Sequence, residues 1–151
     1  MTDGLWLPAT PVFLATLVLI GAQAALSART LRLPAQAPDR LVAELRLAQF
    51  SALVLGVTCG TYLGLASVHP QSAVDVLLAL TFFAVAAVAP LRDPREGLTA
   101  LALAFAAYAV IDVLHRPGFL AEDVAPRELL FMTAVHHALA GALCYLPVLR
   151  R

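Results

Sequence analysis

The sequence is poor in the groups that most enzymes use for chemistry. Only 13% of its 151 residues are charged, the formal net charge is zero, and there are two cysteines. Without an excess of basic residues, we expect no nucleic-acid partner. Cys59 and Cys144 stand alone, without CxxC spacing, which argues against a thiolate metal site and a thiol oxidoreductase. A glycine-rich phosphate loop, an HExxH motif and a nucleophile elbow are also lacking, so we expect no catalysis by this chain itself.

Long apolar stretches fill most of the chain instead. The apolar share is 61%, whereas soluble domains have about 45–50%. A helix of roughly 20 residues crosses a hydrocarbon core of about 30 Å. We therefore predict an all-α bundle of five transmembrane helices, forming a single domain over residues 1–151 in a lipid bilayer, most simply a bacterial inner membrane. The predicted spans are Leu5–Ser27, Leu47–Val68, Ala73–Leu91, Leu98–His115 and Glu128–Val148.

The basic residues give an orientation. All ten are arginine and none is lysine, which we attribute to a GC-rich genome rather than to phosphate or lipid clamping. Only Arg116 and Arg127 fall on one side of the five-span arrangement. Because cytoplasmic loops are rich in arginine, the N-terminus is predicted outside and the C-terminus in the cytoplasm. The arginines on the predicted cytoplasmic side are Arg29, Arg32, Arg40, Arg46, Arg92, Arg95, Arg150 and Arg151.

Local signals mark the ends of the spans. Arg40 and Glu44 are four residues apart, so we expect them to pair at the cytoplasmic interface. Ser72 and Asp75 resemble a capping box that begins span three. Pro147 lies near the end of span five, where a helix stops or kinks.

A stripe of small residues runs along span two. Ala48, Ala52, Gly56, Gly60 and Gly64 recur every four residues and lie on one helical face. Such a stripe lets a second helix approach closely. We predict close helix packing there, against a helix of this chain or of another protein, and expect Gly60→Leu to disrupt it.

Span four carries polar side chains on one face. Tyr108, Asp112 and His115 follow at i, i+4 and i+7. An acid within a membrane span is costly unless it is paired, and it marks a functional site by default. The simplest interpretation is an interfacial ion pair between Asp112 and Arg116, and the alternative is a functional carboxylate.

Span five carries two adjacent histidines. His136 and His137 lie eight to nine residues from Glu128, or roughly 12–14 Å deep at 1.5 Å per residue. Neighbouring residues diverge by about 100° on a helix, so the two imidazoles cannot bind one ion from the same face. Thr133 shares the face of His137. Three interpretations stay open: histidines that are hydrogen-bonded within the bundle, ligands of haem, a metal or a quinone, or members of a proton relay.

A register between spans four and five links these residues. Spans four and five are expected to be antiparallel neighbours. If His115 and Glu128 lie at the same depth in the membrane, a residue of span four and a residue of span five lie at equal depth when their numbers sum to about 243. Tyr108 then lies within about a turn of His136 and His137. We predict that Tyr108 and one histidine share a buried hydrogen bond or a common ligand, and that Thr133 lies near Asp112.

These observations favour a non-catalytic accessory subunit that packs against a larger membrane complex, such as a redox or energy-converting one. The alternatives are a haem- or quinone-binding redox protein that uses His136 or His137, with Tyr108 as a further contact, and a small transporter or proton pathway. His69 and His115 are predicted near the outer surface, far from the two deep histidines, so the usual bis-histidine haem of a four-helix bundle is not expected.

The orientation is tested by reporter fusions at the two ends of the chain. The arginine distribution predicts that an N-terminal reporter is extracytoplasmic and a C-terminal reporter cytoplasmic. Two reporters on the same side would contradict an odd number of spans.

Overall fold

The computed structural model describes residues 6–67, 73–115 and 127–150. Five helices in this part are long and apolar enough to cross a membrane, so the chain is a multi-pass membrane protein with a helical bundle. This confirms the predicted all-α fold with five spans. The helices are α1 (Trp6–Arg32), α2 (Pro38–Ala66), α3 (Ala73–Val88), α4 (Pro94–Leu114) and α5 (Arg127–Leu149), and a 3₁₀ turn (Ala89–Leu91) follows α3.

Three helices extend beyond the predicted apolar spans at one end of the bundle. The first continues past Ser27 to Arg32, and the second begins at Pro38 rather than Leu47. The fourth likewise begins before Leu98. The charged side chains in these extensions end the apolar stretch but not the helix, because helical backbone satisfies its own hydrogen bonds whatever side chains it carries.

Arg40 joins the helix termini at this end. Its Nε donates to Glu44 Oε1 at 2.9 Å, and its Nη2 donates to the carbonyl oxygens of Pro147 at 2.8 Å and Arg150 at 2.7 Å. Arg95, at the start of α4, donates to the second oxygen of Glu44 at 3.3 Å. The expected pairing of Arg40 with Glu44 is confirmed, and both residues are buried. Arg40 thereby satisfies carbonyl groups at the end of α5 that have no helical partner.

Pro147 lies inside α5 and does not end it. A proline has no N–H, so the carbonyl of Leu143, four residues earlier, loses its helical partner. Ser27 Oγ of α1 donates to that carbonyl at 2.9 Å. Since lipid offers no water to replace the missing bond, this hydroxyl allows α5 to continue to Leu149.

Gln23 holds α1 against two other helices. Its Nε2 donates to Ser51 Oγ of α2 at 2.9 Å and to the carbonyl of Ala140 in α5 at 3.1 Å, and lies 3.3 Å from Cys144 Sγ. Gln23 and Ser51 are fully buried. Together with Ser27, this amide fixes α1 beside α5, with the two helices running in the same direction.

The tightest backbone approaches involve two glycines outside the predicted stripe. A Cβ atom on Gly97 would lie 2.5 Å from the carbonyl oxygen of Ala89, and one on Gly141 would lie 3.0 Å from that of Ala102. The first distance joins α4 to the 3₁₀ turn, and the second joins α5 to α4. Close packing of these elements therefore requires glycine at Gly97 and favours it at Gly141.

The predicted stripe on α2 is close to another helix over only part of its length. Ala52 is buried, and a Cβ on Gly56 would lie 4.0 Å from Ala86 Cβ of α3. Gly60 and Gly64 are exposed, and a Cβ there meets no described atom within 4 Å. Within the described part of this chain, close packing at these two glycines is thus not found, because small residues permit an approach without supplying the buried area that drives it. Contact with another protein stays a prediction.

Alanine substitutions separate the two kinds of glycine. Gly97→Ala places a methyl group against a carbonyl that is part of the backbone, so we expect a loss of about 1–3 kcal/mol in the free energy of unfolding. Gly60→Ala meets open space and should leave stability unchanged or slightly higher. Thermal unfolding of the purified protein in detergent measures both. Equal losses at the two sites would contradict this packing.

Candidate functional site

The buried carboxylate of α4 is bound to a histidine of α5. His137 Nδ1 lies 2.7 Å from Asp112 Oδ2. Only 4% of Asp112 is exposed, and His137 is fully buried. The predicted partner Arg116 lies outside the described residues, and in the described part of the chain Asp112 is bound to His137 instead. Asp112 of span four and His137 of span five therefore form one site.

Helix geometry accounts for this pairing. Helical side chains lean toward the N-terminus of their own helix. The two helices α4 and α5 run in opposite directions, so Asp112 and His137 lean toward each other. The close approach at Gly141, where a Cβ would lie 3.4 Å from Phe105 Cβ, brings the backbones near enough for a direct bond.

Aromatic rings enclose the imidazole of His137. The ring of Tyr108 meets it edge-on, with centroids 4.5 Å apart, and Phe105 is stacked at 6.0 Å with an interplanar angle of 28°. The ring of His136 lies 5.4 Å away, nearly perpendicular. Both histidines are buried, so the adjacent imidazoles diverge on the helix and yet both face protein.

Three polar atoms in this site have no hydrogen-bond partner among the described residues: His137 Nε2, His136 Nδ1 and the Tyr108 hydroxyl. The predicted contact between Tyr108 and a histidine exists as ring packing, without a direct hydrogen bond. A common ligand stays a prediction. Thr133 Oγ1 donates to the carbonyl of Leu130 in its own helix at 2.9 Å and has no bond to Asp112.

A second aspartate–histidine pair lies at the end of α4. His115 Nε2 is 3.2 Å from Asp75 Oδ1 of α3. The hydroxyl of Tyr62 in α2 is 3.1 Å from the same oxygen and is also hydrogen-bonded to His115 Nε2. His115 Nδ1 lies 2.8 Å from the carbonyl of Ile111. All three side chains are buried, so a polar cluster joins α2, α3 and α4.

The contacts of His115 settle one of its ring nitrogens. A carbonyl oxygen only accepts, so His115 Nδ1 donates to the carbonyl of Ile111. The hydroxyl of Tyr62, Asp75 Oδ1 and His115 Nε2 form a triangle of mutual contacts. The three helices α2, α3 and α4 are therefore joined by polar side chains that satisfy one another.

Two tyrosines lie between the pairs. The rings of Tyr62 and Tyr108 meet edge-on with centroids 6.0 Å apart, and Phe82 packs on Tyr108 at 4.9 Å. Tyr62 is bonded to Asp75, whereas Tyr108 packs on His137. The two aspartate–histidine pairs therefore belong to one aromatic-walled region.

The sequence reasoning missed Asp75 and Gln23 as members of buried polar clusters. Asp75 was interpreted as part of a capping box with Ser72, which lies outside the described residues, as does His69. The rule that singled out Asp112, an acid within an apolar span, applies equally to Asp75 and would have found it.

The site suits some ligands better than others. Within the described part of the chain, no group of three or more histidine, cysteine or acidic residues is arranged to hold a metal ion. Both ring nitrogens of His115 are engaged, so no described imidazole on another helix is open to pair with His137 on a haem iron. A hydroxyl-bearing ligand would fit better, because His137 Nε2 and the Tyr108 hydroxyl lack partners.

Comparison of the chain with models of protein families, with curated proteins and with solved structures found no match.

The two pairs are tested by double-mutant cycles. Asp112→Asn and His137→Gln remove the two sides of one bond, so the combined loss of stability should be smaller than the sum of the single losses by about 1–3 kcal/mol. Asp112→Asn with Glu96→Gln serves as the control. Glu96 is exposed in the first turn of α4, sixteen residues from Asp112, so the two losses should add within about 0.5 kcal/mol. Unfolding in detergent gives each value, and additive losses within the Asp112–His137 pair would contradict the bond.

Proposed function

We propose that this protein binds and conducts protons through its helical bundle, with Asp112 and His137 as the central proton-binding site. The observation that carries the proposal is the 2.7 Å contact of His137 Nδ1 with Asp112, combined with a second ring nitrogen that has no partner among the described residues. One nitrogen orients the imidazole, and the other is left to exchange a proton.

The charge of the pair supports a proton rather than a larger ion as the cargo. With one proton between Nδ1 and Oδ2 and none on Nε2, the pair carries a net charge of −1. A proton added at Nε2 makes the pair net neutral, whether as imidazolium and carboxylate or as imidazole and carboxylic acid. A net charge is costly in apolar surroundings, and uptake of a proton at Nε2 removes it.

Buried polar side chains extend from this site toward both ends of the bundle. The cluster of Tyr62, Asp75 and His115 lies beyond it at one end, and the network of Arg40 and Glu44 lies at the other. Polar residues inside a membrane bundle are costly and mark pathways for ions and protons. The remaining buried polar residues on the described helices are Gln23, Ser27, Thr30, Ser51 and His136.

The direction of the pathway follows from the proposed orientation. With the arginine-rich loops in the cytoplasm of a bacterial cell, Glu44 lies at the cytoplasmic end and Asp75 with His115 at the outer end.

Proton flux into liposomes tests the proposal. Purified protein is reconstituted with a pH-sensitive dye inside, and a potassium gradient with valinomycin sets the membrane potential. The wild-type protein should carry protons inward, and Asp112→Asn or His137→Gln should reduce the rate by at least about tenfold, because each removes a titratable member of the relay. Glu96→Gln is the matched control, since this carboxylate is exposed in the first turn of α4.

Flux equal to that of empty liposomes, or equal flux in the wild type and in folded Asp112→Asn, would overturn the proposal. The same preparation distinguishes the redox alternative. A haem absorbance band, or a quinone detected by mass analysis and lost in His137→Gln, would favour a cofactor-binding protein that uses His136 or His137.

A second candidate is an accessory subunit of a larger membrane complex, such as a redox or energy-converting one. It is favoured by an open groove of about 520 Å³ between α2 and α3, whose floor includes Ala52, Gly56 and Ala86. Small residues in such a groove would let a helix of another subunit approach closely. A partner present in stoichiometric amount in the wild type and lost in Gly56→Leu would support it.

A further inference from the structure

A cavity between α1 and α2 carries charges of both signs at the arginine-rich end of the bundle. Its volume is about 260 Å³. Arg29 from α1 and Arg46 from α2 line it together with Asp39, and Leu26, Leu33 and Val42 supply apolar walls. It lies apart from the buried aspartate–histidine pairs and opens on the outside of the bundle.

The two arginines lie at the same level of the helix pair and line the same cavity. The bond between Gln23 and Ser51 fixes the antiparallel register of α1 and α2. The numbers of this bonded pair sum to 74, and those of Arg29 and Arg46 sum to 75. Both are exposed, and neither forms an ion pair with a described residue, in contrast to Arg40 and Arg95. Two neighbouring guanidinium groups of like charge favour an anion between them.

The cavity lies where the apolar stretch of α2 begins. Arg46 directly precedes Leu47, the first residue of the predicted second span, and lies two residues from Glu44 of the buried Arg40–Glu44 pair. Arginines at the end of a membrane span place their guanidinium groups among lipid phosphates. The lining changes toward the helix ends. Leu26 and the two arginines are followed by Leu33 and Val42, and Asp39 lies two helical turns, or roughly 10 Å, farther out than Arg46.

The cavity thus offers apolar walls, two guanidinium groups and a carboxylate, which suit the acyl chain, the phosphate and the amine of an amine-bearing phospholipid. We propose that the cavity binds the headgroup of a phospholipid such as phosphatidylethanolamine, with the phosphate between Arg29 and Arg46 and the amine near Asp39. The apolar wall at Leu26 receives the start of an acyl chain. A phosphate alone would use the arginines but neither Leu26 nor Asp39. A lipid with a purely anionic headgroup would meet the carboxylate of Asp39 unfavourably.

Native mass spectrometry of the detergent-solubilised protein tests the site, with phosphatidylethanolamine, phosphatidylglycerol, phosphatidylcholine or inorganic phosphate added in turn. The wild type should retain phosphatidylethanolamine best. Arg29→Gln and Arg46→Gln should each weaken its binding about tenfold, the effect of losing one charge-assisted bond. Arg92→Gln is the control, because this arginine is exposed at the same end but does not line the cavity. Asp39→Asn should abolish the preference for phosphatidylethanolamine over phosphatidylglycerol while lipid is still retained.

Circular dichroism and thermal unfolding confirm that each variant is folded. Equal losses in Arg29→Gln, Arg46→Gln and Arg92→Gln would overturn the site, as would no loss at all. Binding of inorganic phosphate without lipid retention would overturn the lipid assignment. A wild type that prefers phosphatidylglycerol would overturn the role of Asp39.

Discussion

Lipid supplies no hydrogen bonds, and most of the buried polar side chains on the described helices are bonded to another part of the chain. At one end, Arg40 satisfies the terminal carbonyls of α5. Farther along α5, Ser27 donates to the carbonyl of Leu143, which Pro147 leaves without a helical partner, and Gln23 donates to Ser51 of α2 and Ala140 of α5. The helices are thus held together by polar bonds at several depths, with glycine allowing close backbone contact at Gly97 and Gly141.

The same constraint shapes the aspartate–histidine pairs. Asp112 is bonded to His137 and Asp75 to His115, and all four side chains are buried. A buried carboxylate is costly unless it is hydrogen-bonded, so each aspartate depends on its histidine. Bonded titratable side chains at two depths of the bundle are the groups that the proposed proton path requires.

The sequence predicted the five helices and the face that Tyr108, Asp112 and His115 share on α4, because apolar length and helical periodicity are local properties. It did not predict the partner of Asp112. Where the backbones of α4 and α5 lie at the same level, the two residue numbers sum to 243, as for Ala102 and Gly141. The residue numbers of the bonded pair Asp112 and His137 sum to 249 instead. The difference arises because side chains on antiparallel helices lean toward each other.

Close packing along the whole stripe of α2 was also expected, yet Gly60 and Gly64 have no close neighbour in the described chain, since small residues allow contact without requiring it.

Nitrogen NMR of histidine-labelled protein in bilayers decides whether His137 is bonded to Asp112, because it reports the hydrogen on each ring nitrogen. We predict that His137 Nδ1 shares a hydrogen with Asp112 and that its signal therefore shifts in Asp112→Asn. A His137 spectrum that is the same in the wild type and in Asp112→Asn would show that the bond does not exist, and the proposed proton site would lose its basis.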